Sequence, residues 1–388
     1  MQTPFFDLFS SGYDETVRWR RHLHQHPELS FQETKTAQFI IDKLHEFGIE
    51  HIRTNVGGNG IVAKIYGKHP GVTLAFRADF DALPIRDAKD ASYKSQIDGV
   101  MHACGHDGHT ANLLAIAKIL QQARDVLHGN IVLIFQHGEE KPPGGAQTMV
   151  ADGALDGVDY VFGAHVASDI PLGKIATRAG ATMASVDKFI VELQGRGGHG
   201  GRPHQTVDCI TIGSQFVTHI QQIVSRRVNP IDPAVVTVGS FHAGNAFNII
   251  ADTAYIEGTV RTMSSTVREQ IEHEFRAILD SLKVSDHIDY TLDYDNGYPV
   301  LVNHAKEAAV VQSLVDEHDF IVKDISLGAD DFAYFLEERP GAYFFVGSRT
   351  DDPTTQFPHH HPRFDFDERA ILYMGEMFLK LTKHYLLP

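Results

Sequence analysis

The sequence predicts a mixed α/β fold with a ferredoxin-like β-α-β-β-α-β domain inserted into it. Three observations carry this reading. Apolar, strand-length runs alternate with helical periodicity early and late in the chain, and polar residues cluster where the strands end. The middle of the chain switches to half-buried strands flanking two helical stretches. At 388 residues the chain is too long for one ordinary core. The expected segments are 1–184 with 295–388 for the larger domain and 185–294 for the insert.

Taken in order, residues 14–26 read as a helix stopped by Pro27. Ser30-Phe31-Gln32-Glu33 has the spacing of a capping box opening a second helix that ends near Phe47, before Gly48. Gly60 to Tyr66 and Val72 to Asp79 are strands. The second breaks into Asp79-Phe80-Asp81, two carboxylates that can face one side. A helix is expected over Thr110 to Arg124, then the strand Asn130 to Phe135, which runs into His137-Gly138-Glu139-Glu140. A further strand, Tyr160 to Ala164, is expected to end at His165. In the insert, strands at Asp187–Gln194, Ala234–Phe241, Thr253–Val260 and His287–Leu292 alternate with helices carrying Phe216, Ile220 and Val224 and spanning about Thr266–Leu282. Gly195 to Gly201 reads as a flexible turn. The α/β pattern then resumes with a helix at Ala305–Glu317, a strand at Tyr343–Val346 and a closing helix over 367–385.

Composition excludes several function classes. With 34 basic and 50 acidic residues the net charge is −16, which repels nucleic acid and anionic lipid. No apolar run is long enough to span a bilayer, and the first residues lack the pattern of a signal peptide. Two cysteines do not make a disulfide framework, so a reducing, cytoplasmic setting is expected. The 43% apolar content is that of a globular protein.

The chemistry centres on His102-Ala103-Cys104-Gly105-His106-Asp107-Gly108-His109. Imidazole, thiol and carboxylate so close together suit a divalent metal, which needs such donors to converge. Cys104, His106, Glu140, His165 and His360 are five candidate ligands from separate segments. That is more than one catalytic zinc requires, and it suits two ions roughly 3.5–4 Å apart sharing a water whose pKa falls toward about 7. Of two adjacent carboxylates, Glu140 is expected to bind metal and Glu139 to act as general base and acid. Each residue alone has an ordinary explanation: Cys104 as a small buried side chain, His165 as a core histidine, Glu139-Glu140 as surface, His359–His361 as an exposed loop. Cys209, in a helical stretch of the insert, reads as packing. A closed structural zinc site in a non-catalytic binding protein is the rival explanation, but it has no use for Glu139.

With these residues laid out, the chain resembles the zinc-peptidase-like amidohydrolases: aminoacylases, hippurate hydrolases, auxin-conjugate hydrolases and N-acetyl-amino-acid deacetylases. The motifs run nearly end to end: RRHLHQHPELSFQE, RADFDALPI, HACGHDGHTA, Glu139-Glu140, GAHV, GRGGHGGRPH, AFNIIADTAYIEGTVRT, GADDFAYF and HHPRFDFDE. The resemblance implies a catalytic domain holding two divalent ions (zinc or manganese, with cobalt or nickel compatible) and an inserted lid that forms a homodimer or higher homo-oligomer. It supports the five ligands and Glu139, and selects His360 by the family's His-x-Pro pattern. It places Asp81 behind a ligand, holding it in orientation. It gives His199 the oxyanion, where such a donor contributes roughly 3–4 kcal/mol, supplied across the dimer in relatives. Asn248 and Arg261 become candidates for gripping the substrate carboxylate. Two departures stand out: His137-Gly138 replaces Pro-Ala before Glu139, and Asp330-Asp331 replaces Glu-Asp. The expected activity is hydrolysis of N-acyl-L-amino acids, with dipeptidase or carboxypeptidase action as the alternative.

Overall fold

The computed structural model describes residues 4–388, so the first three residues of the expected 1–184 segment lie outside the described residues. The chain divides into two compact units. One comprises Met1–Gly180, Val302–Asp324 and Asp330–Pro388; the other comprises Ala181–Leu301 and Ile325–Ala329. The second is wider than 185–294 for a reason that sequence distance hides. The Ser326 amide donates to the Thr182 carbonyl, and the Ala184 amide donates to the carbonyls of Ser326 and Gly328.

The first unit is built on an eight-stranded mixed sheet. Its spatial order is His51–Val56, Gly60–Tyr66, His128–Gln136, His69–Asp79, Tyr160–Pro171, Gly341–Arg349, Ile175–Thr177 and Phe320–Val322. The four central strands are mutually parallel. Ile131 to Phe135 is almost wholly buried, as a continuous apolar strand covered on both faces must be. The strand His69–Asp79 has its successor His128–Gln136 on one side and Tyr160–Pro171 on the other. The connections therefore leave in opposite directions, and a crevice opens at the carboxyl ends of these strands. Asp79 pairs level with Gln136, so the carboxylates and the Glu139-Glu140 turn emerge together.

The helix His106–Gln122 begins in that crevice. All its residues from His106 to Leu120 are buried except Lys118. A helix enclosed on all sides needs no polar stripe, and from Leu113 to Leu120 Lys118 alone is polar. It packs with the helices Tyr13–Gln25, Thr34–Glu46 and Ala370–Leu386 in one core cluster. Phe76 meets Phe378 at a ring-centroid distance of 4.6 Å. Burying a side chain of that size contributes roughly 1.5–3 kcal/mol.

In the second unit the strands Ser185–Gln194, Ala234–Ala243, Thr253–Thr262 and Asp289–Asn296 alternate with the helices Cys209–Gln222 and Ser265–Asp286 in the β-α-β-β-α-β order. The antiparallel sheet runs Ala234–Ala243, Thr253–Thr262, Ser185–Gln194, Asp289–Asn296. Phe189, Phe216, Ile271, Phe275 and Cys209 share its core. Both helix starts are capped, by Asp208 accepting the Ile210 amide and Ser264 accepting the Val267 amide.

Several local expectations need correction, among them the helix expected over Thr110–Arg124, which spans His106–Gln122, and the helix expected at Ala305–Glu317, which ends at Ser313. The second helix spans Thr34–Glu46, and its Ser30/Glu33 capping box does not form. Ser30 Oγ donates instead to Asp81, and Glu33 accepts amides outside the helix. The strand Tyr160–Pro171 continues through His165 because its partner Gly341–Arg349 extends alongside it. Within the glycine-rich turn, Gly198–His199 pairs with Ile249–Ile250. Among the described residues no helix is long and apolar enough to cross a membrane.

Candidate metal centre

Three turns at the carboxyl ends of the central strands build the site. Gly105 is the N-cap of the helix His106–Gln122 with φ +96°, and a Cβ there would meet Val166 Cγ2 at 2.4 Å. Only glycine permits this turn, which sets Cys104 before the helix and His106 at its first position. After the strand His128–Gln136, Gly138 turns with φ +65° and delivers Glu139 and Glu140. His360 adopts φ +66°, rare for a residue with a side chain, while its amide donates to the Ala103 carbonyl at 2.8 Å.

These turns, with His165 inside the strand Tyr160–Pro171, bring together Cys104, His106, Glu139, Glu140, His165 and His360. One donor atom from each of Cys104, His106 and His165 lies within 4.8 Å of the others, and the same holds for Cys104, Glu140 and His360, and for His106, Glu139 and Glu140. Cys104 Sγ is 3.3 Å from His165 Nε2. His106 Nε2 is 3.8 Å from Glu140 Oε1 and 3.9 Å from Glu139 Oε2.

Neighbours fix which ring nitrogens face the centre. His165 Nδ1 donates to the Val166 carbonyl at 2.6 Å, leaving the Nε2 lone pair toward Cys104. His106 Nδ1 lies 3.1 Å from both Asp81 Oδ1 and the Asp81 carbonyl, so Nε2 faces the carboxylates. Asp81 Oδ2 accepts from Ser30 Oγ and the Glu140 amide, tying the early strand to the Glu139-Glu140 turn. His109 differs. Its Nδ1 donates to Asp79 at 2.6 Å and its Nε2 accepts the Val166 amide at 3.0 Å, so both nitrogens are spent.

The electrostatics call for a cation. Burial, then the charges of Asp330 and Glu140, hold the Glu139 carboxyl well above its ordinary range. Burial with Glu140 and Glu139 likewise holds Cys104 up as a thiol. Burial alone would lower His106, yet Asp79, Asp81 and Glu140 raise it to about 10. Burial with His109 and His359 keeps His165 neutral. Among the described residues His106 Nε2 is a buried atom without a hydrogen-bond partner, and His360 Nε2 approaches Glu140 Oε1 at 3.3 Å. Orphaned buried atoms cost stability unless something else binds them. Paired buried carboxylates, which raise the proton affinity of the His106 ring among them, and a buried thiol favour added positive charge, and with the neutral His165 nitrogen they fit a divalent ion.

Comparison with known proteins agrees with this chemistry. The model of "Peptidase family M20/M25/M40" matches residues 75–384. The chain belongs to this family. It is 46% identical over 291 residues to the N-acyl-L-amino acid amidohydrolase of Geobacillus stearothermophilus, covering 75% of this chain and 78% of that one. It is 39% identical over 365 residues to thermostable carboxypeptidase 2 of Saccharolobus solfataricus, covering 92% of each. The solved Bacillus subtilis YXEP protein, described as a dinuclear metal binding peptidase of the M20 family, superposes with a TM-score of 0.83 at 32% identity, covering 96% of this chain and 98% of that one. This M20 protein is accordingly a hydrolase acting on amide bonds.

The remaining candidates of this M20 chain lie in its second unit. His199 is exposed, and its Nδ1 accepts the Gly201 amide at 2.9 Å, which leaves the ring proton on Nε2. Asn248 is exposed beside it in the short ladder, its carbonyl accepting the Gly200 amide at 2.9 Å. Arg261 is half-buried and bonds Thr259 Oγ1 and the Val260 carbonyl. His137, in the first unit, packs edge-on to Phe31, with Gly58 leaving room for its ring.

Sequence reasoning missed Glu33 and His359. Glu33 is fully buried and accepts the Gly138 and Phe31 amides at 2.8 Å and Asn59 Nδ2 at 3.0 Å, so it clamps the turn before Glu139. Burial pushes its carboxyl from 4.5 up to about 6. A raised value means the native state holds the proton more tightly than the unfolded chain. Stability from this group is therefore complete below pH 4.5 and lost as pH rises through about 6. Glu33→Gln stays neutral and keeps an acceptor for both amides, while Asn59 can turn its amide to match. The variant is expected to equal the wild type at acid pH and to exceed it by up to ~2 kcal/mol at neutral pH. Urea midpoints at the two pH values check this, and a difference that does not change with pH would contradict it.

Proposed function

We propose that this M20 hydrolase cleaves N-acyl-L-amino acids to a carboxylate and an amine at a site holding two divalent ions. The observation that carries the reading is the buried Glu139 beside Glu140. A site that only held metal would have no use for a second, metal-free carboxylate with raised proton affinity. Cys104, His106, Glu140, His165 and His360 are assigned as ligands, with Asp81 orienting His106 through Nδ1. When bound, the ions acidify a water and polarise the scissile carbonyl.

The chain's own groups divide the remaining work. Glu139 takes the proton of the attacking water at its carboxylate and passes it to the leaving nitrogen, a task suited to a carboxyl of raised pKa. His199 is assigned to the developing oxyanion, to which its Nε2–H can donate. Asn248 and Arg261 are assigned to the substrate carboxylate, for which a guanidinium offers two parallel donors. The second unit is assigned the part of lid and of contact surface in a homodimer or larger homo-oligomer.

A panel of acetyl-, benzoyl- and indoleacetyl-amino acids and dipeptides, assayed with zinc, manganese, cobalt and nickel, tests this reading. Preferred turnover of an N-acyl-amino acid supports it. Preference for dipeptides or for C-terminal trimming would replace it with the peptidase activity named for the Saccharolobus relative.

A further inference from the structure

The run His359-His360-His361 places two consecutive imidazoles at one centre from different directions. The left-handed backbone of His360 makes this division. His360 Nε2 turns toward Glu140, whereas the His359 ring lies over the opposite side, edge-to-face with His165 at 5.1 Å and tilted against Phe364 at 4.7 Å. His359 Nδ1 is 3.7 Å from Cys104 Sγ, within hydrogen-bond range for sulfur. Its other nitrogen, Nε2, faces the Ser168 amide at 3.4 Å. An amide N–H can only donate, so Nε2 must present its lone pair. The neutral ring then carries its proton on Nδ1, aimed at the sulfur.

We propose that His359 is a positioning residue for the metal-binding thiolate, holding Cys104 Sγ through an Nδ1–H···S hydrogen bond. The inference rests on the proposed role of Cys104 as a ligand. The bond acts in two ways. It fixes the direction of a short side chain that follows no regular secondary structure, and Gly105, next in sequence, supplies no side-chain packing of its own. It also spreads part of the sulfur's negative charge onto the imidazole N–H, so the thiolate donates less to a bound ion. For affinity the two effects oppose each other and the orientation outweighs the reduced donation, since losing an outer partner typically costs about 10–100-fold in metal binding. His359 is not itself counted as a ligand, because the lone pair it possesses is already engaged by Ser168.

Two variants separate the nitrogens. The side-chain amide of His359→Asn reaches the position of Nδ1 and can still donate to sulfur. That of His359→Gln reaches the position of Nε2 and can serve the Ser168 amide but not the thiolate. The full-length protein is stripped of metal and titrated with cobalt(II), reading ions bound per chain, affinity and the thiolate-to-cobalt charge-transfer band. The glutamine variant is expected to bind as many ions as the wild type, one of them about 10–100-fold more weakly, with the band moved to longer wavelength. The asparagine variant is expected to resemble the wild type in both readouts. A glutamine variant with wild-type band and affinity would overturn the inference, as would two variants equally displaced. Outright loss of one ion in the glutamine variant would also overturn it, since His359 would then be a ligand. A wild type that binds cobalt without a thiolate band would remove the ligand role of Cys104 along with it. The two failures are therefore distinguishable.

Discussion

Glu139→Gln is expected to lower kcat by about 10²–10⁴-fold while metal content stays that of the wild type. The amide has nearly the shape of the carboxyl but cannot take a proton from water. The donors that converge on the ions are Cys104, His106, Glu140, His165 and His360 in the proposed assignment, and none is altered. A substrate of unchanged KM would show that binding survives and only the proton transfer is lost. Near-normal turnover in a metal-loaded variant would contradict the role given to Glu139. Metal loss together with activity loss would instead make Glu139 a ligand.

Arg77→Met is expected to destabilise the first unit by ~3–5 kcal/mol. The guanidinium is fully buried and forks to Gln136 Oε1 at 2.8 Å, Asp79 Oδ2 at 2.5 Å and Asp331 Oδ1 at 3.1 Å, with Asp330 Oδ1 at 3.5 Å. Removing it strands three buried carboxylates around a single missing charge. Asp79 shows the present balance: burial would raise its carboxyl, but Arg77 with His106 and His109 holds it well below the usual range. Arg77→Lys keeps the charge without the planar fork and is expected to fall between the two. A lowered urea midpoint checks the prediction, and an unmoved midpoint for Arg77→Met would contradict it. The site feels this network as well, because Asp330 and Asp331 both raise the proton affinity of Glu139.

How far the site was legible follows from the range of each signal. Cys104 and His106 were visible because the donors lie two apart around a glycine, a local pattern. Glu139-Glu140 was visible because charged pairs seldom follow an apolar strand such as Ile131–Phe135. His165 was readable only together with the other donors, as a histidine closing an apolar strand, and the choice of His360 within a run of three needed the family pattern. His359 stayed hidden for that reason: only the backbone at His360 separates the two rings. Glu33 was misread because Ser-x-x-Glu is a true local signal for a cap, and here long-range amides at Gly138 and Asn59 outcompete it. Arg77 finds Asp331 across 254 positions, a pairing no window could show.

The fold was legible for the same reason and to the same depth. Long periodic elements, such as the buried helix beginning at His106, stand out in any window. Their ends shifted where a partner strand lengthened them, as Gly341–Arg349 does for Tyr160–Pro171. The three-residue strand Ile175–Thr177 lies between Gly341–Arg349 and the equally short Phe320–Val322, and three residues carry too little alternation to be read alone.

Catalysis at the proposed site is expected to depend on divalent ions held by its converging donors. The most direct test titrates metal-free protein with zinc or manganese, following ions bound per chain and turnover of an N-acetyl-amino acid together. No turnover is expected without metal, and its return is expected as about two ions bind per chain. Undiminished turnover in the metal-free protein, or saturation by a single tightly held ion with no turnover, would contradict it.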